Sequence, residues 1–312
     1  MRRASIVIIL ITVVLAATAF GKRLFPETSR LTIFYSGSLN GNLAGCSCWG
    51  YPIAGLDKKA FFLKERMGKT SSGKDTLLLD TGNLFEPGED LLQADLLMKS
   101  SVELGYHLFA MGEQDFSNGA DRLAEYTAAF PFRSHNVSLL SGPSEDGGIL
   151  YPAEKAPLVF DLAGTSVEVV SLTDPAVFEP YPREFLRFLD REDPRQVLLR
   201  LWGTPGHQPR ILLFHGDQIE ARHLASTGEV DIVIFSPDEE PFFEELPSGR
   251  FLISAGLDGN SIGELTITIS NGKIIGLTNR THLFHYSSSP SDPVIAARAE
   301  EYIAILRKRI ER

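Results

Sequence analysis

Short apolar runs recur along the chain and alternate with stretches of helical spacing. Residues 31–35 (Leu-Thr-Ile-Phe-Tyr) predict a strand, and residues 55–67 a helix. Thr76-Leu-Leu-Leu-Asp80 is an unbroken apolar run, the pattern of a strand covered on both faces. A helix over about 91–104 follows, then a strand ending near Met111 and another over 166–172. Asp193-Pro194 predicts a helix start, with Asp as cap and Pro in the first turn. Strands over 210–215, 230–235, 251–255 and 264–269 complete the set. Such alternation implies a mainly parallel sheet under helices, and the short connections late in the chain imply antiparallel strands there. Asp292-Pro293 opens a last helix in which Ile295, Ala299, Tyr302, Leu306 and Ile310 share one apolar face.

The N-terminus departs from this pattern. Arg2 and Arg3 precede an apolar run over 6–15, and Ala17-Thr18-Ala19 has small-x-small spacing. This reads as a secretory signal cut after about Ala19. The competing reading is an uncut anchor over 4–20, at the short limit for a membrane span. Either reading places the body of the protein outside the cytoplasm, periplasmic or otherwise extracytoplasmic. The expected organisation is signal or anchor 1–19, linker 20–30, one domain over 31–290 and a C-terminal amphipathic helix over 291–312.

With 312 residues, 43% of them hydrophobic, the chain can build a sizeable core. Its formal net charge of -10 argues against non-specific nucleic-acid binding, which needs clustered Lys and Arg. Cys46 and Cys48 are the only cysteines, so whatever they do is local. Asn136-Val137-Ser138 fits a glycosylation acceptor and is read as a chance match.

Several segments in order resemble one family. Residues 31–43 (Leu-Thr-Ile-Phe-Tyr-Ser-Gly-Ser-Leu-Asn-Gly-Asn-Leu) stand where a first strand ends in Asp-x-His-Gly, and Ala54-Gly-Leu-Asp-Lys-Lys-Ala60 where a helix starts Gly-Gly-Leu-Ala-Arg-Arg. Residues 77–85 (Leu-Leu-Leu-Asp-Thr-Gly-Asn-Leu-Phe) match a strand ending in Asp-x-Gly-Asp-x-Phe. Residues 110–119 sit where Gly-Asn-His-Glu-Phe-Asp-x-Gly is expected, and residues 130–137 and Ser171-Leu-Thr-Asp-Pro175 match further core segments. Phe214-His-Gly-Asp217 and residues 230–235 correspond to the strands that hold the last ligands. The chain resembles the metallophosphoesterase domain of the 5'-nucleotidase (calcineurin-like) family over about residues 31–290. The resemblance implies a four-layer α/β/β/α sandwich with mixed sheets.

It also implies two divalent metals that position a water and spread phosphoryl charge. Most of the ligand positions have changed. The first Asp and His become Ser38 and Asn40, the bridging Asp becomes Asn83, and the Asn-His pair becomes Glu113-Gln114. The last Gly-His-x-His tip falls at Ser236-Pro-Asp-Glu239, and only His215 keeps its type and place. A neutral Asn83 cannot neutralise two dications. A single relocated Mn, Zn or Fe ion held by Asp80, Asp115, His215 and Asp217, with Glu113, Asp238 and Glu239 on the same rim, is the alternative. Cys46-Ser-Cys48 resembles a cysteine or selenocysteine pair in an exported bacterial branch of the family. It reads as a local structural disulfide or unpaired thiols, a redox couple, or two thiolates for a metal. Three functions follow: a degenerate binding or assembly protein, a residual phosphoesterase, or an extracytoplasmic thiol redox protein. The expected partner is an extracytoplasmic protein or a small phosphorylated ligand, with membrane contact only through an uncut N-terminal segment.

Overall fold

The computed structural model describes residues 28–311 apart from 47–51, 69–74, 89, 117, 143–147, 163, 238–239 and 258. The leader pattern, Cys48, Asp238 and Glu239 therefore lie outside the described residues. In chain order the first half contains β1 (Thr28–Ser36), α1 (Leu56–Met67), β2 (Thr76–Asp80), α2 (Leu91–Leu104), β3 (Leu108–Ala110), α3 (Ala120–Ala129) and β4 (Phe132–Arg133). Next come β5 (Val137–Leu140), β6 (Ile149–Tyr151), β7 (Leu158–Leu162), β8 (Thr165–Thr173), α4 (Arg183–Leu186) and β9 (Leu189–Arg191). The second half adds α5 (Pro194–Trp202), β10 (Arg210–His215), α6 (Gln218–Ala225), β11 (Ile232–Ser236), β12 (Phe242–Glu245) and β13 (Phe251–Ser254). The chain closes with β14 (Ser261–Ser270), β15 (Lys273–Leu283) and α7 (Pro293–Ile310).

Two six-stranded mixed sheets form, in the orders β15-β14-β1-β2-β3-β4 and β12-β13-β11-β10-β8-β7, with a small sheet β6-β5-β9 beside them. The central pairs β1–β2, β2–β3, β8–β10, β10–β11 and β11–β13 are parallel. The β14–β15 hairpin is antiparallel, as its short connection implies, and β1–β14 is antiparallel as well, whereas the late pair β11–β13 is parallel because β12 lies between them in the chain.

Side-chain alternation along each strand explains the layering. Leu31, Ile33, Tyr35, Leu77 and Leu79 point inward and meet Val167, Val169, Ile211, Leu213, Ile232 and Ile234 of the other sheet. Their neighbours Phe34 and Leu78 point outward into a layer with Leu56, Ala60, Leu97 and Ile295 from α1, α2 and α7. On the far side Leu172, Leu212, Phe214 and Val233 pack under Val197, Trp202 and Leu224 of α5 and α6. Helices therefore cover both outer faces, and the sandwich has the expected α/β/β/α order.

Local chemistry fixes the helix ends. The carboxylates of Asp90, Asp193 and Asp292 accept from backbone N–H groups at the starts of α2, α5 and α7, each contact stabilising by about 1 kcal/mol. Ile295, Ala299 and Tyr302 of α7 are buried, whereas Ile310 is exposed, so the packed face ends before the periodicity does. Strand β1 begins inside the expected linker, because Thr28–Arg30 already pair with Thr268–Ser270 of β14. Asn136 of the glycosylation-like triplet is buried and donates to the carbonyls of Thr173 and Glu192, which makes it a strap between segments. Among the described residues, no helix is long and apolar enough to cross a membrane.

Candidate active-site centre

The parallel strands β1, β2, β3, β8, β10 and β11 all run their C-terminal ends to one edge, where open α/β sheets gather functional loops. Two of these loops zip together through their backbones. The amides of Ser38, Asn40 and Gly41 donate to the carbonyls of Gly82, Asn83 and Leu84, over 2.8–3.0 Å. Ser38, Asn40 and Asn83 all adopt left-handed backbone, with φ of 49°, 52° and 58°. Asn tolerates that region, but Ser gains less from it, and such a backbone costs roughly 1–2 kcal/mol. Left-handed backbone therefore occurs at three positions where the resemblance places metal ligands, and its cost falls mainly on Ser38.

At the middle of this edge stands His215, fully buried. Its Nδ1 lies 2.9 Å from the Thr81 carbonyl and its Nε2 lies 2.6 Å from a Glu113 carboxylate oxygen. The Thr81 carbonyl can only accept, so Nδ1 donates to it, and a carboxylate at Nε2 favours a second ring proton. Burial opposes that charge, but the hydrogen bond and charge of Glu113 outweigh it and raise the His215 pKa above its ordinary 6.5. Burial pushes Glu113 the other way as well, yet its bonds to His215 and Asn83 hold its carboxyl below the ordinary 4.5. Asn83 donates from Nδ2 to the other Glu113 oxygen at 3.0 Å and accepts from the Gln114 amide at 3.1 Å. Beneath the ring, Thr81 Oγ1 donates to Ser236 Oγ at 2.6 Å, and Ser38 Oγ donates to the same oxygen at 3.3 Å.

The remaining carboxylates serve other partners. Asp115 is buried and accepts from the backbone amides of Asn83, Leu84, Phe85 and Gly112 at 2.7–3.3 Å. Burial pushes its carboxyl up to about 7, against the four amides that favour the charged form. Asp80 accepts from Ser36 Oγ and the Gly82 amide. Burial raises its pKa, and the charge of Lys59 works against that rise. Asp217 is exposed and accepts from the Glu220 amide as the cap of α6. The proposed relocated set is thus spread over three tasks, and among the described residues no cluster of three His, Cys, Asp or Glu side chains is placed to hold a metal.

The donor set does not suit a two-metal centre. A metal needs a free lone pair on the imidazole, and both His215 nitrogens face oxygen acceptors at hydrogen-bond distance. The bridging position holds a neutral amide engaged on both ends, and Glu113 is neutralised by the ring. Cys46, in the loop after β1, is disulfide-bonded and pairs through its backbone with Ile53; Cys48 is the one other cysteine in the sequence. Sequence reasoning missed Thr81 as a functional residue and read Ser236 only as part of a ligand tip. Both lie at strand ends between quoted motif residues, which was the available signal.

No family profile matches the chain. Among curated proteins, a 5'-nucleotidase of Vibrio vulnificus is 23% identical over 287 residues, covering 79% of this chain and 50% of the relative. A 5'-nucleotidase of Vibrio cholerae is 23% identical over 288 residues, with 80% and 50% covered. The chain thus spans about half the length of the curated relatives it matches. Among solved structures, the 5'-nucleotidase precursor of Thermus thermophilus superposes with a TM-score of 0.68 at 20% identity, covering 90% of this chain and 59% of that one. A calcineurin-like phosphoesterase of Bacillus subtilis gives a TM-score of 0.72 at 14% identity, covering 92% and 100%.

Proposed function

We propose that this chain, which belongs to the 5'-nucleotidase and calcineurin-like phosphoesterase family, is a pseudoenzyme that has kept the scaffold and given up the metal centre. The observation that carries the reading is the Glu113–His215 ion pair at 2.6 Å, buttressed by Asn83. In this reading the pair stands where the resemblance places the cations, and it balances charge with side chains alone. The polar edge then works as a rigid binding or assembly surface outside the cytoplasm. The Arg2-Arg3 start, the apolar run and Ala17-Thr18-Ala19 support export.

Elemental analysis tests this directly, on purified protein exposed to manganese, zinc and iron and then washed. The expected result is near-zero stoichiometry, together with no hydrolysis of 5'-AMP or p-nitrophenyl phosphate above buffer. One or two retained equivalents with metal-dependent turnover would overturn it. A variant carrying Ser38→Asp, Asn40→His, Asn83→Asp and Gln114→His provides the positive control, and metal uptake by it alone would assign the loss to those positions.

A further inference from the structure

Beside the edge that carries Glu113 and His215, an unassigned cleft of about 470 Å³ opens between the 3-10 turn Glu113–Phe116, α3, α4 and the strands β5 and β9. This is the size range of small-molecule sites. Phe116, Leu139, Phe185 and Phe188 are among its walls, with Phe116 buried and Phe185 and Phe188 half-buried. Its rim carries Asp121 and Glu184, both exposed, and neither has an ion-pair partner among the described residues. The walls continue into a ladder of rings. Phe116 meets Phe178 at 5.6 Å, Phe178 meets Tyr181 at 6.4 Å and Tyr181 meets Phe185 at 5.3 Å. The far side of the cleft is thereby braced against the turn that holds Glu113.

We infer that this cleft binds a small aromatic amine, its ring between the phenylalanines and its ammonium at Asp121 and Glu184. Three features select that class. Phenyl walls gain from ring faces and edges beyond simple burial. Two carboxylates at the mouth, without an ion-pair partner among the described residues, attract a cation and form charge-assisted hydrogen bonds with an ammonium. The same carboxylates repel phosphate and carboxylate groups, so a nucleotide is disfavoured here although the scaffold is that of phosphoesterases. The inference uses residues separate from the Glu113–His215 centre, so metal uptake there leaves it standing and absence of metal does not establish it.

The test is a ligand-observed NMR titration of the whole protein with tryptamine, against indole-3-propionate as the matched anionic ring. Tryptamine should saturate, and the acid should bind at least tenfold more weakly. An Asp121→Asn, Glu184→Gln double variant, altered only at exposed positions, should erase that preference. Phe185→Ala should weaken binding of the amine tenfold or more while the melting curve stays cooperative. Equal binding of acid and amine, tryptamine affinity unchanged in the double variant, or no saturation by tryptamine at millimolar concentration would each overturn the proposal.

Discussion

Glu113 and Asp115 sit two residues apart on one 3-10 turn and have opposite roles. Glu113 reaches across to side chains, pairing with the imidazolium of His215 and the amide of Asn83. Asp115 turns back into the backbone and accepts four amides from the loops after β2 and β3. One carboxylate settles a charge and the other ties a loop. Both are acidic, both flank the same edge, and a ligand count on the sequence treats them alike. The difference teaches that acids gathered on one edge can have separate tasks, one balancing a buried charge and the other holding loops in place.

The sharpest way to break the comparison is Asp115→Ala. It strips acceptors from four amides, and each buried orphan costs about 1–3 kcal/mol. Even with relaxation, a loss on the order of 4 kcal/mol in urea unfolding is expected. Asp115→Asn keeps one acceptor oxygen and should lose about half as much. A loss under about 1 kcal/mol for the alanine variant would show that Asp115 does not hold the loops.

The legible part of this molecule is the part governed by period and order. The runs at 31–35, 76–80 and 210–215 are apolar on both faces because each strand is covered on both sides; the last two match their strands at both ends, and the first falls inside a strand that starts three residues earlier. Strand β15 was missed because its side chains are mostly exposed and mixed in character, so no alternation marks it. Strand β12 was missed because it is a four-residue edge strand, Phe-Phe-Glu-Glu, in which no apolar–polar alternation marks a strand. At the site, the positions of Ser38, Asn83, Glu113 and His215 were legible through motif spacing. The pairing of Glu113 with His215 was not, because it spans 102 residues and follows from side-chain reach. The tasks of Asp80, Asp115 and Asp217 were equally hidden, since loop ties and helix caps depend on backbone direction.

On the Glu113 side the expected effects are smaller. His215→Ala removes the buried cation and leaves Glu113 and the Thr81 carbonyl short of a donor, for about 3 kcal/mol. Glu113→Gln should cost less, about 1–2 kcal/mol, because the imidazole can shed its proton. A double-mutant cycle should return a coupling of at least about 1 kcal/mol. Additive losses would mean the two side chains touch without supporting each other. Gly112→Ala probes the shared wall, where an added Cβ would stand 2.0 Å from Asn83 Oδ1. Displacing that amide should cost roughly 1–3 kcal/mol, read in the same unfolding experiment.

The smallest effect separates the two acids by pH. His215 has a raised pKa in the fold, so its stabilising contribution is full below 6.5 and is lost as pH rises through the folded value. Asp115, raised to about 7, acts in the same direction: its contribution is present below 3.8 and fades as pH climbs through about 7. Glu113 is lowered, so its contribution is present above 4.5 and is lost only as pH falls below that. Together these predict a melting temperature that declines from mildly acidic pH toward pH 8. In Glu113→Gln, burial is left to depress the His215 pKa, so the histidine's part of the slope reverses while that of Asp115 remains. The decline should therefore become shallower without vanishing. An unchanged slope in that variant would mean the alkaline loss belongs to Asp115 alone, and the charge-settling role assigned to Glu113 would fall with it.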